Sequence, residues 1–387
     1  GLATSDISVA FFFYLTLWRF WNYLRKPSWK NIVLTGMLAG LSLISKFSAV
    51  LIFPALFLIV AASGSWKKIS WGHTASFLIV CFMTVWAGYF FEVKPLFKNT
   101  PDPPKKIAFL QKIGGEPLVR FAQEVPIPLA TFVSAFGSMM FTRMQGTNAY
   151  LMGEWSHGMK GWWYYYFVAF GIKNTIPILL LILLSFLWIR KIQTDRLTKI
   201  FLVVPTILFF LVTLHDKAQV GIRYFLPIYP LFFVLSGGLV SLFWKANKSL
   251  KLTLVALLSW HALEAAGIYP DYLSYFNEII GGPSQGYRFL RDSNIDWGQD
   301  LKGLAEWSKR HDYQEIVLYS ISPVDLEKAY GVRWRPMTPA ELVTPKPAIY
   351  ALGVHHIDSV EWFKQFKPSH IIGHSLYVYD LRNSVVS

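Results

Sequence analysis

Charge is scarce in this chain, and acidic charge is scarcer than basic. Only 16% of its 387 residues are charged, with 23 Asp and Glu against 37 Lys and Arg. A chain of this size with so little charge is too apolar for an ordinary soluble protein. Cysteine occurs once, as Cys81 inside an apolar run. That excludes an internal disulfide framework and a thiolate metal site. The sequence also has no internal repeat, no glycine-rich phosphate loop and no Cys/His set at zinc spacing. The net charge of +14 would raise nucleic acid as a partner for a soluble protein. Here much of the basic charge lies in short loops between apolar runs, where it sets topology instead.

What the chain has in abundance is apolar and aromatic surface, 53% and 17% of its residues. Apolar runs fall at 7–24, 31–45, 47–63, 74–91, 164–189, 199–214, 224–243 and 250–268. A full crossing takes ~20 residues, so the second, third and sixth runs are short and suit a tilted or re-entrant course. Twelve basic residues occupy alternate loops: Arg25, Lys26, Lys30, Lys67, Lys68, Arg190, Lys191, Arg196, Lys199, Lys245, Lys248 and Lys251. The short loops between them carry only Lys46, Lys217 and Arg223. The positive-inside rule puts the first set in the cytoplasm. Asp6, Lys46, the 92–163 loop, the 215–223 loop and everything after Tyr269 then fall on the opposite side.

The fold expected is mainly α: a polytopic transmembrane bundle of about eight helices, with a small extracytoplasmic α/β domain at the C-terminus. Residues 1–268 form the membrane region, with an outer loop at 92–163, and residues 269–387 form the soluble domain. Pro101-Asp102-Pro103-Pro104 breaks the outer loop. Pro117 to Met144 mixes apolar and polar residues at helical spacing, as interfacial segments do. Trp155 to Tyr166 reads as an aromatic interfacial belt. After Tyr269, Val317–Ser320, Ala348–Leu352 and Tyr377–Tyr379 read as strands, and Leu301–Arg310 and Ser359–Phe366 as helices.

Four ionisable residues lie within or at the mouths of the apolar runs, where a charge costs on the order of 3 kcal/mol unless it faces a wet or protein-lined interior. Asp6 precedes the first run; it could cap that helix or place a carboxylate at a cavity mouth. Lys46 lies between two runs, where it could snorkel or bind a phosphate. Lys173 lies about nine residues inside the fifth run, too deep for easy snorkelling. Pro177 follows it and would free backbone groups to bind something. Arg223 opens the seventh run, where a guanidinium either anchors at the interface or binds a lipid phosphate bidentately. His215 and Asp216 nearby read as a structural pair. Asp292, Asp296 and Asp300 are four residues apart, but Gly298 favours a loop over a helical face, and their spacing is not that of a calcium loop.

These residues occur within a series of motifs. Leu2-Ala3-Thr4-Ser5-Asp6 resembles the opening of a middle helix in bacterial protein O-mannosyltransferase-like enzymes. Gly40-Leu41-Ser42-Leu43-Ile44-Ser45-Lys46 is similar to their "GLALLTK" stretch. Tyr150 to Ser156 and Lys173 to Pro177 are similar to their "YLLGE" and "KTP" signatures, and Arg223 to Pro230 to their "RYxLPxxP". Tyr272 to Asn277, Gly281-Gly282-Pro283 and Asp292 to Leu301 complete the ordered set.

That family belongs to the GT-C superfamily of polytopic glycosyltransferases. The resemblance implies a polyprenyl-phosphate sugar donor, an acceptor hydroxyl on protein, lipid or glycan, a site on the extracytoplasmic face, and inversion at the anomeric carbon. On this reading Lys46, Arg223 and Lys173 are the donor-phosphate ligands and Asp6 supports the acceptor or the base. The family's acidic catalytic pair lies upstream of the segment matching Asp6. The chain opens without methionine or a signal peptide, so it reads as lacking that part. No metal or cofactor is implied beyond the lipid-linked donor, and a divalent-metal requirement is open. A transporter or lipid flippase is the alternative, although it should often show paired repeats. A membrane-anchored binding protein is a third reading, in which Lys46 and Lys173 would be replaceable by leucine.

Overall fold

The computed structural model describes residues 5–97, 103–158, 160–313, 315–320 and 324–383. The motif residues Leu2 to Thr4 and the break residues Pro101 and Asp102 lie outside them. The protein is mainly helical. All eight apolar runs are helical: α1 (Ser5–Arg25), α2 (Trp29–Ser45), a 3-10 turn leading into α3 (Ile52–Ser63), and α4 (Trp71–Gly88). After the outer loop come α7 (Tyr165–Lys173) with α8 (Ile176–Leu187), α9 (Arg196–Thr213), α10 (Tyr229–Trp244) and α11 (Lys248–Gly267). The outer loop holds α5 (Pro103–Glu124) and α6 (Ala130–Gln145). Two small hairpins flank them: β1 (Val93–Pro95) with β2 (Pro126–Pro128), and β3 (Ala149–Leu151) with β4 (Glu154–Ser156).

By length and composition, three helical spans among the described residues can cross a membrane: Trp71–Gly88, Arg196–Thr213 and Ile222–Trp244. The pair α7–α8, bent by 117°, makes a fourth if counted as one broken span. Helices 29–45 and 47–63 are apolar but shorter. The eight expected crossings are therefore built from nine α-helices among the described residues, and three spans, or four counting the bent pair, meet the length and hydropathy of a full crossing.

Local sequence fixes where these helices start. Ser28, Ser70, Asp195 and Asn247 each accept a hydrogen bond from a backbone N–H three residues on, capping α2, α4, α9 and α11. Such caps satisfy donors that have no partner inside the helix. All four caps adjoin the basic loops, and those loops meet at one end of the helices. Arg25 pairs with Asp195 at 3.2 Å, Lys68 donates to the Leu24 carbonyl at 2.7 Å, and Lys245 donates to Gln193 at 3.0 Å. The loop alternation read from the sequence thus appears in three dimensions as a basic end and an opposite end.

Helix α2 packs between α1 and α4, and two glycines allow it. A Cβ on Gly36 would lie 2.7 Å from the Phe77 carbonyl oxygen; one on Gly40 would lie 2.6 Å from the Thr84 Cβ.

The C-terminal region builds a five-stranded sheet in the order β6-β5-β7-β9-β8. The strands are β5 (Ile316–Tyr319), β6 (Trp334–Pro336), β7 (Ile349–Gly353), β8 (His370–Ile372) and β9 (Leu376–Asp380). β5 runs parallel to β6 and β7, while β9 is antiparallel to β7 and β8. Alternation sorts the side chains. Ile316, Leu318, Ile349, Ala351 and Val378 pack with Leu301, Leu304 and Trp307 of α12 (Leu301–Arg310). Val317, Tyr350, Leu352, Tyr377 and Tyr379 join a core continuous with the helical region.

The three expected strands and the helix at 301–310 are present. The helix expected over Ser359–Phe366 is not: after a 3-10 turn at Ile357–Ser359 the chain runs in turns. Its buried Trp362 donates to the Glu341 carbonyl at 2.7 Å, and the Glu361 N–H donates to the Leu342 carbonyl at 2.9 Å. Those tertiary bonds to the short helix Pro339–Val343 replace the local ladder.

Two measurements test this packing. Gly36→Val forces a side chain against backbone that cannot rotate away, and overpacking of this kind costs roughly 1–3 kcal/mol or more. The variant should lose several degrees of thermal stability in detergent. Gly237→Ala, with open space around it, should lose none; equal behaviour of the two would refute the tight α2–α4 contact. The second test concerns Asp300. Burial, with Asp271 and Asp296 nearby, pushes its carboxyl up to about 7. The folded form thus keeps a proton that an unfolded aspartate releases near pH ~4. This contribution is complete below pH ~4, declines as pH rises through about 7, and is flat beyond. Unfolding temperature measured against pH should show that decline in the wild type relative to Asp300→Asn, and parallel profiles would refute it.

Candidate functional site

At the end opposite the basic loops, five elements deliver charged side chains to one place. Asp6 comes from the first turn of α1 and is 4% exposed. It does not cap α1, because it lies inside the helix and its carboxylate accepts from the Lys46 ammonium. Lys46 ends α2 in an extended conformation (φ −164°, ψ 138°), with its N–H still bonded to the Ser42 carbonyl. The helix therefore stops there and the side chain can project sideways. Arg223 and Tyr224 belong to the 3-10 turn Ile222–Ile228 that leads into α10. Arg143 sits in the last turn of α6 and pairs with Asp216 at 3.2 Å. Asp216, just after α9, also accepts from the Ala218 N–H at 3.0 Å. Burial pushes its carboxyl up, with Arg143 opposing.

The Tyr224 ring is the hub. The Lys46 Nζ lies 4.6 Å from its centroid, the Arg143 Cζ 4.9 Å and the Arg223 Cζ 5.9 Å. Three cations around one ring face two carboxylates that are already paired. Arg223 has no hydrogen-bond or ion-pair partner among the described residues, and its Nε is enclosed and unpartnered, as is the Nε of Arg143. Enclosed donors without partners are costly. An arrangement with surplus positive charge and unused N–H groups is chemically suited to a bound anion, and a guanidinium fork suits a phosphate.

The loop from Asp292 to Asp300 closes over this site from the C-terminal region. The Asn294 side chain accepts from the Ile222 N–H at 3.1 Å and donates to the Tyr165 hydroxyl at 3.1 Å. Ser293 donates to the Val220 carbonyl. Between these contacts stands Gly221 (φ +114°), where a Cβ would lie 2.9 Å from both Asn294 and Ser293 side chains. Only glycine fits both that dihedral and that gap. Trp297 lies 4.7 Å from the Arg223 Cζ. The three spaced aspartates do not share a face. Asp292 accepts from the Ser293 N–H at 2.6 Å, Asp296 from Gly298 at 2.7 Å, and Asp300 from Ser375 and Gln299. No group of three or more His, Cys, Asp or Glu able to hold a metal occurs among the described residues.

The structure brings Asp6, Lys46 and Arg223 together and places Lys173 elsewhere. Its ammonium donates to the Leu273 and Asn294 carbonyls, both at 2.6 Å, and lies 4.2 Å from the Phe276 ring centroid. The break after it is satisfied in the same way: Asn277 donates to the Gly171 and Asn174 carbonyls at 2.7 and 2.9 Å. The backbone groups freed near Pro177 therefore bind the chain's own C-terminal block. Sequence reasoning missed Arg143, Tyr224 as the hub, and Trp297. One signal was available, since Arg143 is the sole charged residue of α6.

The family model of the dolichyl-phosphate-mannose-protein mannosyltransferases matches residues 2–88. That segment contains Asp6 and Lys46 and ends before Arg143, Arg223 and the C-terminal block. The match supports a membrane glycosyltransferase that uses a lipid-linked sugar, and it does not favour a transporter. No curated protein and no solved structure matches the chain significantly.

The placement of Lys173 can be checked by Lys173→Met. Leaving two buried carbonyls unpaired costs about 2–3 kcal/mol. The variant should therefore melt earlier and be cleaved faster by protease within residues 269–300. Below its melting temperature it should bind polyprenyl phosphate as tightly as the wild type. Unchanged melting with lost binding would make Lys173 a phosphate ligand instead.

Proposed function

We propose that this protein is an integral-membrane glycosyltransferase. It moves a mannose-like hexose from a polyprenyl-phosphate carrier to an acceptor hydroxyl on the extracytoplasmic face. The observation that carries the reading is the unpaired Arg223 guanidinium beside Lys46 and Arg143, at the end of the helices away from the basic loops. The similarity over residues 2–88 supports the same chemistry.

In this reading the donor phosphate lies among Arg223, Lys46 and the Tyr224 ring. The acceptor oxygen attacks the anomeric carbon, the bond from that carbon to the phosphate oxygen breaks, and the electron pair leaves with the phosphate. The hydroxyl proton passes to a carboxylate. Arg223 and Lys46 stabilise the charge that develops on the departing phosphate. Asp6 holds the Lys46 ammonium in place and so serves as a positioning residue. Helix α6 carries Arg143 toward Tyr224 and contributes Met140, Phe141 and Met144 to a groove of about 420 Å³. Leu96, Phe109 and Val133 line the same groove, and its apolar walls suit the first isoprene units of the carrier. The acceptor is a hydroxyl of protein, lipid or glycan.

Turnover of radiolabelled polyprenyl-phosphate mannose by the full-length protein in lipid nanodiscs tests the assignment. Arg223→Ala should reduce kcat/KM by ~100-fold or more, the usual loss when one charge-stabilising donor is removed. Its melting temperature should not fall, because Arg223 bonds to no other described residue. Lys46→Ala should impair transfer to a similar degree. Wild-type turnover in both variants would remove the phosphate role.

A further inference from the structure

We infer that Trp297 forms the platform that seats the sugar ring of the donor. The inference rests on the phosphate role given to Arg223 above. One oxygen atom separates phosphorus from the anomeric carbon. A hexose whose phosphate lies on Arg223 must therefore rest against whatever stands next to that guanidinium.

One group from the Asp292–Asp300 loop stands there. The Trp297 ring lies 4.7 Å from the Arg223 Cζ, with no other aromatic partner and no hydrogen bond to its Nε1 among the described residues. It is 45% exposed, although Asn294, Ile295 and Asp296 before it are buried.

The loop holds the indole stiffly. The Trp297 N–H donates to Gln299 at 2.7 Å, the Gly298 N–H to Asp296 at 2.7 Å, and Gln299 to the Ile295 carbonyl at 2.9 Å. Asn294 ties the same loop to Ile222, the residue before Arg223. An open indole face accepts the C–H face of a pyranose, since its π cloud is negative and its surface apolar. The indole and the guanidinium together provide one group for the sugar and one for its phosphate.

Binding of two ligands to the full-length protein in nanodiscs separates the alternatives: bare polyprenyl phosphate and polyprenyl-phosphate mannose. Trp297→Ala should weaken binding of the glycosylated lipid by about tenfold, equivalent to ~1.4 kcal/mol, and leave the bare lipid unchanged. Trp297→Phe, which keeps a flat ring, should recover most of the loss. If Trp297→Ala weakened both ligands equally, the indole would serve Arg223 rather than sugar. If it changed neither, Trp297 would be an interfacial anchor. Either result overturns the platform while leaving the donor site standing. Wild-type protein that bound neither ligand would overturn the donor reading and the platform with it.

Discussion

The structure is organised around the cost of placing charge beside hydrocarbon. Lys46 and Asp6 illustrate it. An ammonium enclosed at the end of α2 has little water to solvate it, and the Asp6 carboxylate supplies the compensating charge. Breaking such a pair by removing one member typically costs about 3–5 kcal/mol, because the other charge is left buried alone. The pair therefore constrains α1 and α2 to a fixed relation at this end. The glycine contacts of α2 with α4 hold α2 closely to its other neighbour along its length. Whatever binds at Tyr224 meets a site whose walls are set by electrostatics at one end and by backbone packing below.

A second constraint ties the C-terminal region to the helices. The bend between α7 and α8 leaves carbonyls without helical partners, and in an apolar setting these must be satisfied from within the protein. Asn277 and Lys173 do this jointly: one supplies donors to the α7 carbonyls, and the other donates from α7 to the carbonyls of Leu273 and Asn294. The exchange runs in both directions, so neither partner can be withdrawn without exposing polar groups of the other. It also sets the height of the Asp292–Asp300 loop above Arg223. The placement of Trp297 thus follows from bonds made well away from it.

The helical runs, the alternation of basic loops and the strands at 317–320, 348–352 and 377–379 were legible because they depend on local pattern. Run length, charge and period-two alternation are properties of neighbouring residues. Two other placements depend on contacts distant in sequence. Ser359–Phe366 has helical spacing, but the Trp362 indole reaches Glu341, more than twenty residues earlier, and no local rule contains that bond. Lys173 was read as a phosphate ligand because its depth in an apolar run demanded a partner. The demand was real, and it is met by carbonyls about a hundred residues later in the chain. Sequence showed that a partner was needed without showing which one. Arg143 was missed for the converse reason: its helix lies in the outer loop, where a single cation is unremarkable until folding brings it to Tyr224.

Comparing the cations by what they already hold distinguishes structure from function more sharply than burial does. Lys173 has two carbonyls and an aromatic face. Lys46 and Arg143 each have one carboxylate and share the Tyr224 ring, so each can contribute to a second anion without leaving its first. Arg223 holds only aromatic faces. Asp6 and Asp216 are both committed to the neighbouring cations, so neither is free to pair with Arg223. The two ion pairs therefore do more than neutralise Lys46 and Arg143. By occupying those two carboxylates they keep Arg223 available, and the three cations about Tyr224 carry one positive charge more than the two carboxylates paired with them.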